Sequence, residues 1–582
     1  MITRTLNVVD YVLLVLLLLA SAVIGVIFGC VKSKKNSAKE FLLANREMGV
    51  FPAALSITAS FLSANTMLGT PSEIYTYGTM YCYHTVSWTI AVTITALVFM
   101  PKFREMNCTS AYEYLEKRFD CSVRVCVSLI FSIFMLIYMA IVLYGPALAL
   151  SQTTGLNIWL SVVSIGVVCT FYSSVGGMKA VIWTDVLQAF VMFVGLLSAI
   201  IQGLIVLGGF GPTFSIASKN GRIQFDSISI DPRVRHTVWS VLIGSTFNAL
   251  STYGFNQTQI QRYMCVRTTR GAAQALFINA VGSAFIILSS CLIGIIIYAY
   301  YADCDPYTAK FISAIDQIFP YFVMEVLSNI PGLPGVFLAC IFSGSLSTIS
   351  SGLNSLTAVI IEDVYKGAVV MLLTYVVSHL GPILNASTSL FGALQGPIMG
   401  VFFLGFFFPR ANHRGGLVGF VSGVALPLWI FVGSQVTKNQ RKSERLPLFT
   451  TNCALSINET RTFPTSPRTD PLLDLYSVSY MWYSPIAVST VLIVGLIVSY
   501  LTRPLKPHEV DPKLIIPIDD VCCCCLPKSV RHWLRCGIDH ENYLNEREDN
   551  NENELNVTKP FLPVESNIAF PVVLISKKPD DS

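Results

Sequence analysis

Long apolar stretches, separated by short polar ones, fill the chain from residue 11 to residue 501. They fall at 11–31, 50–74, 80–101, 123–150, 156–174, 179–208, 238–258, 271–301, 332–361, 368–381, 383–408, 415–437 and 478–501. Runs this long without two-residue alternation predict helices, and about 20 residues is the length that crosses the hydrocarbon core of a bilayer. Lipid offers no partner to backbone polar groups, so only helices or closed barrels can span it. The pattern therefore predicts an all-α polytopic membrane protein of about thirteen spans. Residues 11–31 read as a retained span and not a signal peptide, since they lack a small-residue cleavage site and end at Lys32, Lys34 and Lys35.

Composition agrees. Of 582 residues, 53% are hydrophobic and 13% charged, against roughly a quarter charged in soluble chains. A net charge of +4 gives no sign of a nucleic-acid partner. The sixteen cysteines lie mostly inside apolar runs, where a thiol behaves as a small hydrophobe. With residues 1–10 extracellular, alternation puts Lys102, Arg104, Lys117, Arg118 and Arg124 in the cytosol, then Arg262, Arg267 and Arg270, then Arg410 and Arg414. That is the basic-inside pattern, and the host membrane is expected to be the plasma membrane. The loop 438–475 is also basic yet falls outside, where long loops obey the rule weakly.

Several features lie beyond the spans. Asn458-Glu459-Thr460 is a glycosylation acceptor if extracellular, or a chance triplet. Cys304 and Cys453, in outer loops, are candidates for a disulfide. From residue 503 to 582 the composition turns polar and predicts a disordered cytosolic tail. Within it Cys522, Cys523, Cys524 and Cys525 form a run that is either S-acylated or merely tolerated.

Polar side chains at span depth are costly unless they pair or line a cavity, so they mark candidate chemistry. Residues 53–69 carry Ser56, Thr58, Ser60, Ser63, Asn65 and Thr66, with Gly69 and Pro71 following, and predict a broken helix. Residues 338–354 carry Ser343, Gly344, Ser345, Ser347, Thr348, Ser350 and Ser351 and read as its interrupted counterpart. Hydroxyls and freed carbonyls at this density suit a sodium ion, which wants several close oxygens. Close helix packing, with hydroxyls bonding back to their own helix, explains the same residues. No nucleophile–base pair, metal-ligand cluster or phosphate loop suggests an enzyme.

The strings GMKAVIWTDVLQ (177–188), YGFNQTQIQRY (253–263), TSAYEYLEKRF (109–119) and SGSLSTISSGLN (343–354) resemble the sodium/solute symporter family. The likeness is strongest to its monocarboxylate, multivitamin and iodide branch and runs from about residue 8 to about 500. It implies a LeuT-type fold: two inverted five-helix repeats, about 50–208 and 238–408, one extra N-terminal helix and two extra C-terminal helices, with 11–502 as the symporter domain. It also implies a sodium ion on the carbonyls of Ala59, Leu62 and Gly344 and the hydroxyls of Ser347 and Thr348. Asp185 would sit near the ion and draw it inward, the plain alternative being an interfacial charge beside Lys179. Thr66, Tyr138, Thr252 and Ser387 would line the solute cavity or a second sodium site. Thr66 and Thr252 differ from the residues of the sugar carriers, and neutral hydroxyls suit a small organic anion: a monocarboxylate, with biotin, pantothenate or an inorganic anion as alternatives. Sodium bridging the first and sixth core helices would couple the two ligands. An ion-sensing or channel-like relative would need the same ion site.

One stretch departs from the family. After Lys366, about twenty residues expected by the likeness are absent, leaving 368–381 as a shortened ninth core helix. Either it crosses as a short helix, or the chain crosses once there and the last two spans invert, placing Asn458 in the cytosol. A shortened isoform with impaired transport is a further reading.

Overall fold

The computed structural model describes residues 6–28, 44–106, 110–155, 157–359, 383–437, 445–450, 453, 472–506 and 509–516. Those residues are almost entirely helical, and strand pairing among them is limited to an isolated bridge between Met48 and Val266. The helices that matter here are α1 (Val8–Val26), α2 (Val50–Phe61), α3 (Ala64–Tyr77), α4 (Thr79–Glu105), α5 (Cys121–Thr154), α6 (Ile158–Phe171), α7 (Gly177–Leu207), α8 (Ser245–Phe255), α9 (Gln257–Met264), α10 (Thr269–Tyr300), α11 (Leu333–Val359), α12 (Ile383–Phe407), α13 (His413–Val436) and α14 (Tyr480–Leu501). Nine of the described helices are individually long and apolar enough to cross a bilayer, and α2 with α3 forms one further span bent by 55°. Ten of the thirteen predicted spans are thus met at full length among the described residues; 156–174 is represented by the shorter α6, 238–258 by α8, which ends at a break, and 368–381 lies outside the described residues.

Two faces are distinguishable. Cys304, just past α10, is bonded to Cys453, S–S 2.06 Å and Cα–Cα 5.0 Å. Asp10 at the start of α1 reaches this disulfide face, accepting the amides of Gly332 and Gly335 at 3.1 and 2.9 Å where α11 begins. A carboxylate there satisfies amides that a helix N-terminus leaves unpaired. The opposite face is basic. Arg118 donates to the carbonyls of Gly405, Phe408, Pro409 and Ala411 at 2.9–3.1 Å, collecting the acceptors left open where α12 ends. Beyond the composition change at Arg503, the described residues 509–516 stay packed on this face. Leu514 accepts from the Tyr114 hydroxyl at 3.0 Å, and the Ile516 amide donates to Phe406 at 3.0 Å, with Val510, Leu514, Ile515 and Ile516 all buried.

Close helix contacts are made through small residues, as expected where lipid supplies no hydrophobic drive. A Cβ on Gly195 of α7 would stand 2.3 Å from Cys340 Cβ of α11, and one on Gly415 of α13 would stand 1.9 Å from Ser499 Oγ of α14. Gly177, at φ 58°, makes the bend between the α6 segment and α7.

Two described contacts flank the stretch on which the single-crossing alternative turns, which itself lies outside the described residues. Near the end of α11, Ser355 accepts from Thr258 on the basic side at 2.9 Å. Ile383, the first residue of α12, donates to Asp316 on the disulfide side at 2.8 Å. The described end of α11 and the described start of α12 thus make their contacts on opposite faces. Asn458 lies outside the described residues. Cys522–Cys525 also lie outside them.

Candidate functional site

The break predicted in 53–69 is present: α2 ends at Phe61, Leu62 adopts φ −83° and ψ 67°, and α3 starts at Ala64. Ser63 caps the new helix, its Oγ accepting from the Asn65 amide at 3.2 Å. The Thr66 amide goes to the Ser63 carbonyl at 2.9 Å, so Leu62 loses the donor that a continuous helix would give it. Ala59 lies in the last turn of α2, where carbonyls lose their in-helix partners. Two carbonyl oxygens are thereby released at span depth.

The second predicted interruption is absent. α11 runs unbroken through 338–354, and several of its hydroxyls are satisfied by carbonyls about one turn earlier: Ser350 and Ser351 by Ser347, Thr348 by Gly344. The other break lies in the 238–264 segment, where Asn256 (φ −89°, ψ 123°) separates α8 from α9 and caps α9 by accepting the Thr258 amide at 2.9 Å. The polar run Asn256-Gln257-Thr258-Gln259 was the signal for it. Ser347 and Thr348 thus sit on the eighth core helix and not the sixth, and any ion between them and the first break bridges the first and eighth.

Two hydroxyls of α11 reach across to other elements. Thr348 Oγ1 donates to the Ser60 carbonyl at 2.8 Å, and Ser347 Oγ donates to Asp185 Oδ1 at 2.6 Å. Gly344 lets the two helices meet: a Cβ there would lie 3.0 Å from the Ala64 nitrogen and 3.2 Å from the Ser63 carbonyl carbon. Thr348 and Gly344 thus meet the break at Ser60, Ser63 and Ala64, Ser347 meets Asp185, and these residues, like Ala59 and Leu62 in the break itself, are buried.

Asp185 is not interfacial. It is buried in α7, and its bonded partners are Ser347, Ser56 at 2.5 Å, and Arg262 at 3.2 Å. Arg262, assigned by sequence to a cytosolic loop, is itself buried in α9. It also donates to Ser56 at 2.8 Å, to the Thr258 carbonyl at 2.8 Å, and to Ser351. A single knot thus joins α2, α7, α9 and α11 on the basic side of the break.

The cavity residues are placed less uniformly. Tyr138 of α5 stacks on Phe61 at 5.6 Å and meets Phe391 at 4.9 Å, closing the break laterally. Thr66 is half-buried in the first turn of α3. Thr252 and Ser387 bond back to the Asn248 and Leu384 carbonyls, and no hydrogen bond joins them to the break among the described residues. The side-chain amide of Asn65 is buried, and neither Oδ1 nor Nδ2 is hydrogen-bonded among the described residues. Sequence reading had noted it as polar without giving it a role.

Residues 41–371 match the Sodium:solute symporter family. The chain belongs to this family. It is 41% identical to a sodium-dependent multivitamin transporter of Oryctolagus cuniculus, over 92% of this chain and 89% of that one. It is 40% identical to sodium-coupled monocarboxylate transporter 1 of Homo sapiens, over 88% and 90%. It is 38% identical to sodium-coupled monocarboxylate transporter 2 of Mus musculus, over 91% and 90%. Among solved structures, a Na+-coupled sialic acid symporter in a substrate-bound outward-open state covers 86% of this chain and 99% of its own, with TM-score 0.68 at 24% identity. That likeness carries the LeuT-type fold. This symporter is a multi-pass, sodium-coupled membrane transporter and not an enzyme.

Proposed function

We propose that the chain carries a small monocarboxylate into the cell together with sodium, by alternating access. The observation that carries this reading is the meeting of the α2–α3 break with Ser347 and Thr348, which gathers uncharged oxygens around one point at span depth. Sodium would be held by the carbonyls of Ala59, Leu62 and Gly344 and the hydroxyls of Ser347 and Thr348. Asp185 would lie next along the path to the basic face. Breaks at residues 62–63 and 256, each in the first helix of a five-helix repeat, support repeats at about 50–208 and 238–408.

The solute would occupy the space beside the break near Thr66, Asn65, Tyr138, Thr252 and Ser387. Neutral donors suit a carboxylate, as does the N-terminus of a half-helix such as α3. The monocarboxylate transporters among the relatives support that class, and the rabbit multivitamin transporter keeps the carboxylates of biotin or pantothenate as the second reading. One positive charge falling through 100 mV releases about 2.3 kcal/mol to drive an anion uphill.

The disulfide supports an oxidising, extracellular setting for its face, and the basic residues support a cytosolic setting for the other. The N-terminus would then be outside, the tail inside, and the host membrane the plasma membrane. Uptake of lactate, nicotinate, biotin, pantothenate and iodide into expressing cells, with and without sodium, tests the proposal. Saturable sodium-dependent uptake of a carboxylate is expected. Sodium current with no carboxylate uptake would overturn it.

A further inference from the structure

The sodium break makes no use of a second charged knot, which lies at the disulfide face. Glu73, near the end of α3, is buried there. Its two oxygens accept from Arg235 Nε at 2.6 Å and Nη2 at 3.1 Å, the fork geometry in which a guanidinium holds a carboxylate. His236 Nε2 stands 3.2 Å from Glu73 Oε1, and the Tyr480 hydroxyl donates to the same oxygen at 3.4 Å. Burial lowers the His236 pKa to about 4, so Arg235 is the cation of this knot at neutral pH. The guanidinium lies over the rings of Tyr77 and Tyr480, 4.1 and 4.9 Å from their centroids.

Glu73, Arg235, Ser72, Asp316 and Arg445 line one pocket. Its lining includes Gly69 and Leu384, which touch so closely that a Cβ on Gly69 would lie 2.6 Å from Leu384 Cβ. Thr66 and Ser387 each follow one helical turn deeper on the same two helices. The pocket therefore lies one helical turn from the proposed solute site toward the disulfide face, with a carboxylate-holding arginine in its lining.

We propose that Arg235 is the outer capture site for the solute's carboxylate, which replaces Glu73 on the guanidinium before the solute descends past the Gly69–Leu384 contact. This rests on the monocarboxylate reading above. Exchange of one carboxylate for another never leaves Arg235 without a counter-charge, and the displaced Glu73 keeps His236 and Tyr480 as partners. Competition between the two carboxylates keeps capture weak, as a route of passage requires.

Asp316 makes capture sensitive to pH. Its carboxylate oxygen accepts the Ile383 amide at 2.8 Å. Burial, reinforced by the charge of Glu73 and opposed by that amide bond, raises its pKa to about 7. The charged and titratable groups around it are Glu73 and Tyr77 on α3, Tyr144 on α5, Arg235 with His236, and Arg445. Below that pH Asp316 is neutral, and above it a second negative charge opposes an incoming anion. An ordinary carboxylic acid, with a pKa near 4, stays ionised throughout.

The test measures initial sodium-dependent lactate uptake by the full chain in expressing cells, at saturating sodium and normalised to surface protein. Arg235→Gln is expected to raise the lactate KM roughly tenfold, the loss of about one charge-assisted hydrogen bond, while sodium half-saturation stays unchanged. Wild-type KM is expected to be severalfold lower at external pH 6 than at pH 8, and Asp316→Asn to abolish that difference. An unchanged KM in Arg235→Gln overturns the inference, as does sodium half-saturation rising in step with it. Should Arg235→Gln fail to reach the surface, a pH dependence that survives in Asp316→Asn overturns it instead. Absence of wild-type uptake of any carboxylate removes the monocarboxylate reading and this site with it. Normal wild-type uptake with an unaltered Arg235→Gln profile removes this site alone.

Discussion

Arg262→Gln is expected to destabilise the protein by about 3–5 kcal/mol, because it strands the Asp185 carboxylate in a site from which solvent is excluded. Both partners of this pair are fully buried, and Ser56, Ser347 and Ser351 cannot supply the missing positive charge. The double variant Asp185→Asn with Arg262→Gln removes both charges and is expected to recover much of the loss, since the new carboxamide can accept from one of Ser56 and Ser347 and donate to the hydroxyl oxygen of the other. Thermal unfolding midpoints of the purified protein, with surface levels in cells, give the measurement. Single effects that simply add in the double variant would mean that the two charges do not sense each other. Asp185→Asn alone is expected to slow sodium release, seen as reduced turnover at saturating sodium and solute.

Thr348→Ala is expected to raise the sodium half-saturation of uptake about tenfold, equivalent to about 1.4 kcal/mol of lost binding, with Thr348→Ser close to wild type. The hydroxyl lies where α11 touches the end of α2, bonded to the Ser60 carbonyl at 2.8 Å. Removing it takes one proposed oxygen ligand from the ion and one hydrogen bond from between the two helices. The serine variant separates these losses from methyl packing, because it restores both oxygen contacts. A sodium activation curve for Thr348→Ala that superimposes on wild type would dismiss the proposed ion site.

Crossing segments were legible because bilayer thickness imposes a length that hydropathy exposes directly. The break at residues 62–63 was legible as well, since hydroxyls, Asn65, Gly69 and Pro71 crowd one span. The same reasoning misread α11, where equally dense hydroxyls satisfy themselves within a continuous helix. It also passed over Asn256, whose polar neighbours looked like the end of a span and not its middle. Arg262 was hidden for a related reason: an arginine near a cytosolic boundary is ordinarily solvated, and its carboxylate is 77 positions away in the chain. The pairing of Glu73 with Arg235 spans 162 positions and follows no periodic pattern. Contacts of this kind are set by how helices pack, which no local window contains.

The stretch 509–516, held on the basic face, decides where the polypeptide can be shortened or fused. A fluorescent domain joined after Ile516 would hang from a fixed point and leave Val510, Leu514 and Ile515 covered. Joined after Leu501, it would strip that cover and bare the Tyr114 hydroxyl and the Phe406 carbonyl that anchor it. The working boundary of the transporter body therefore lies past the point where composition turns polar.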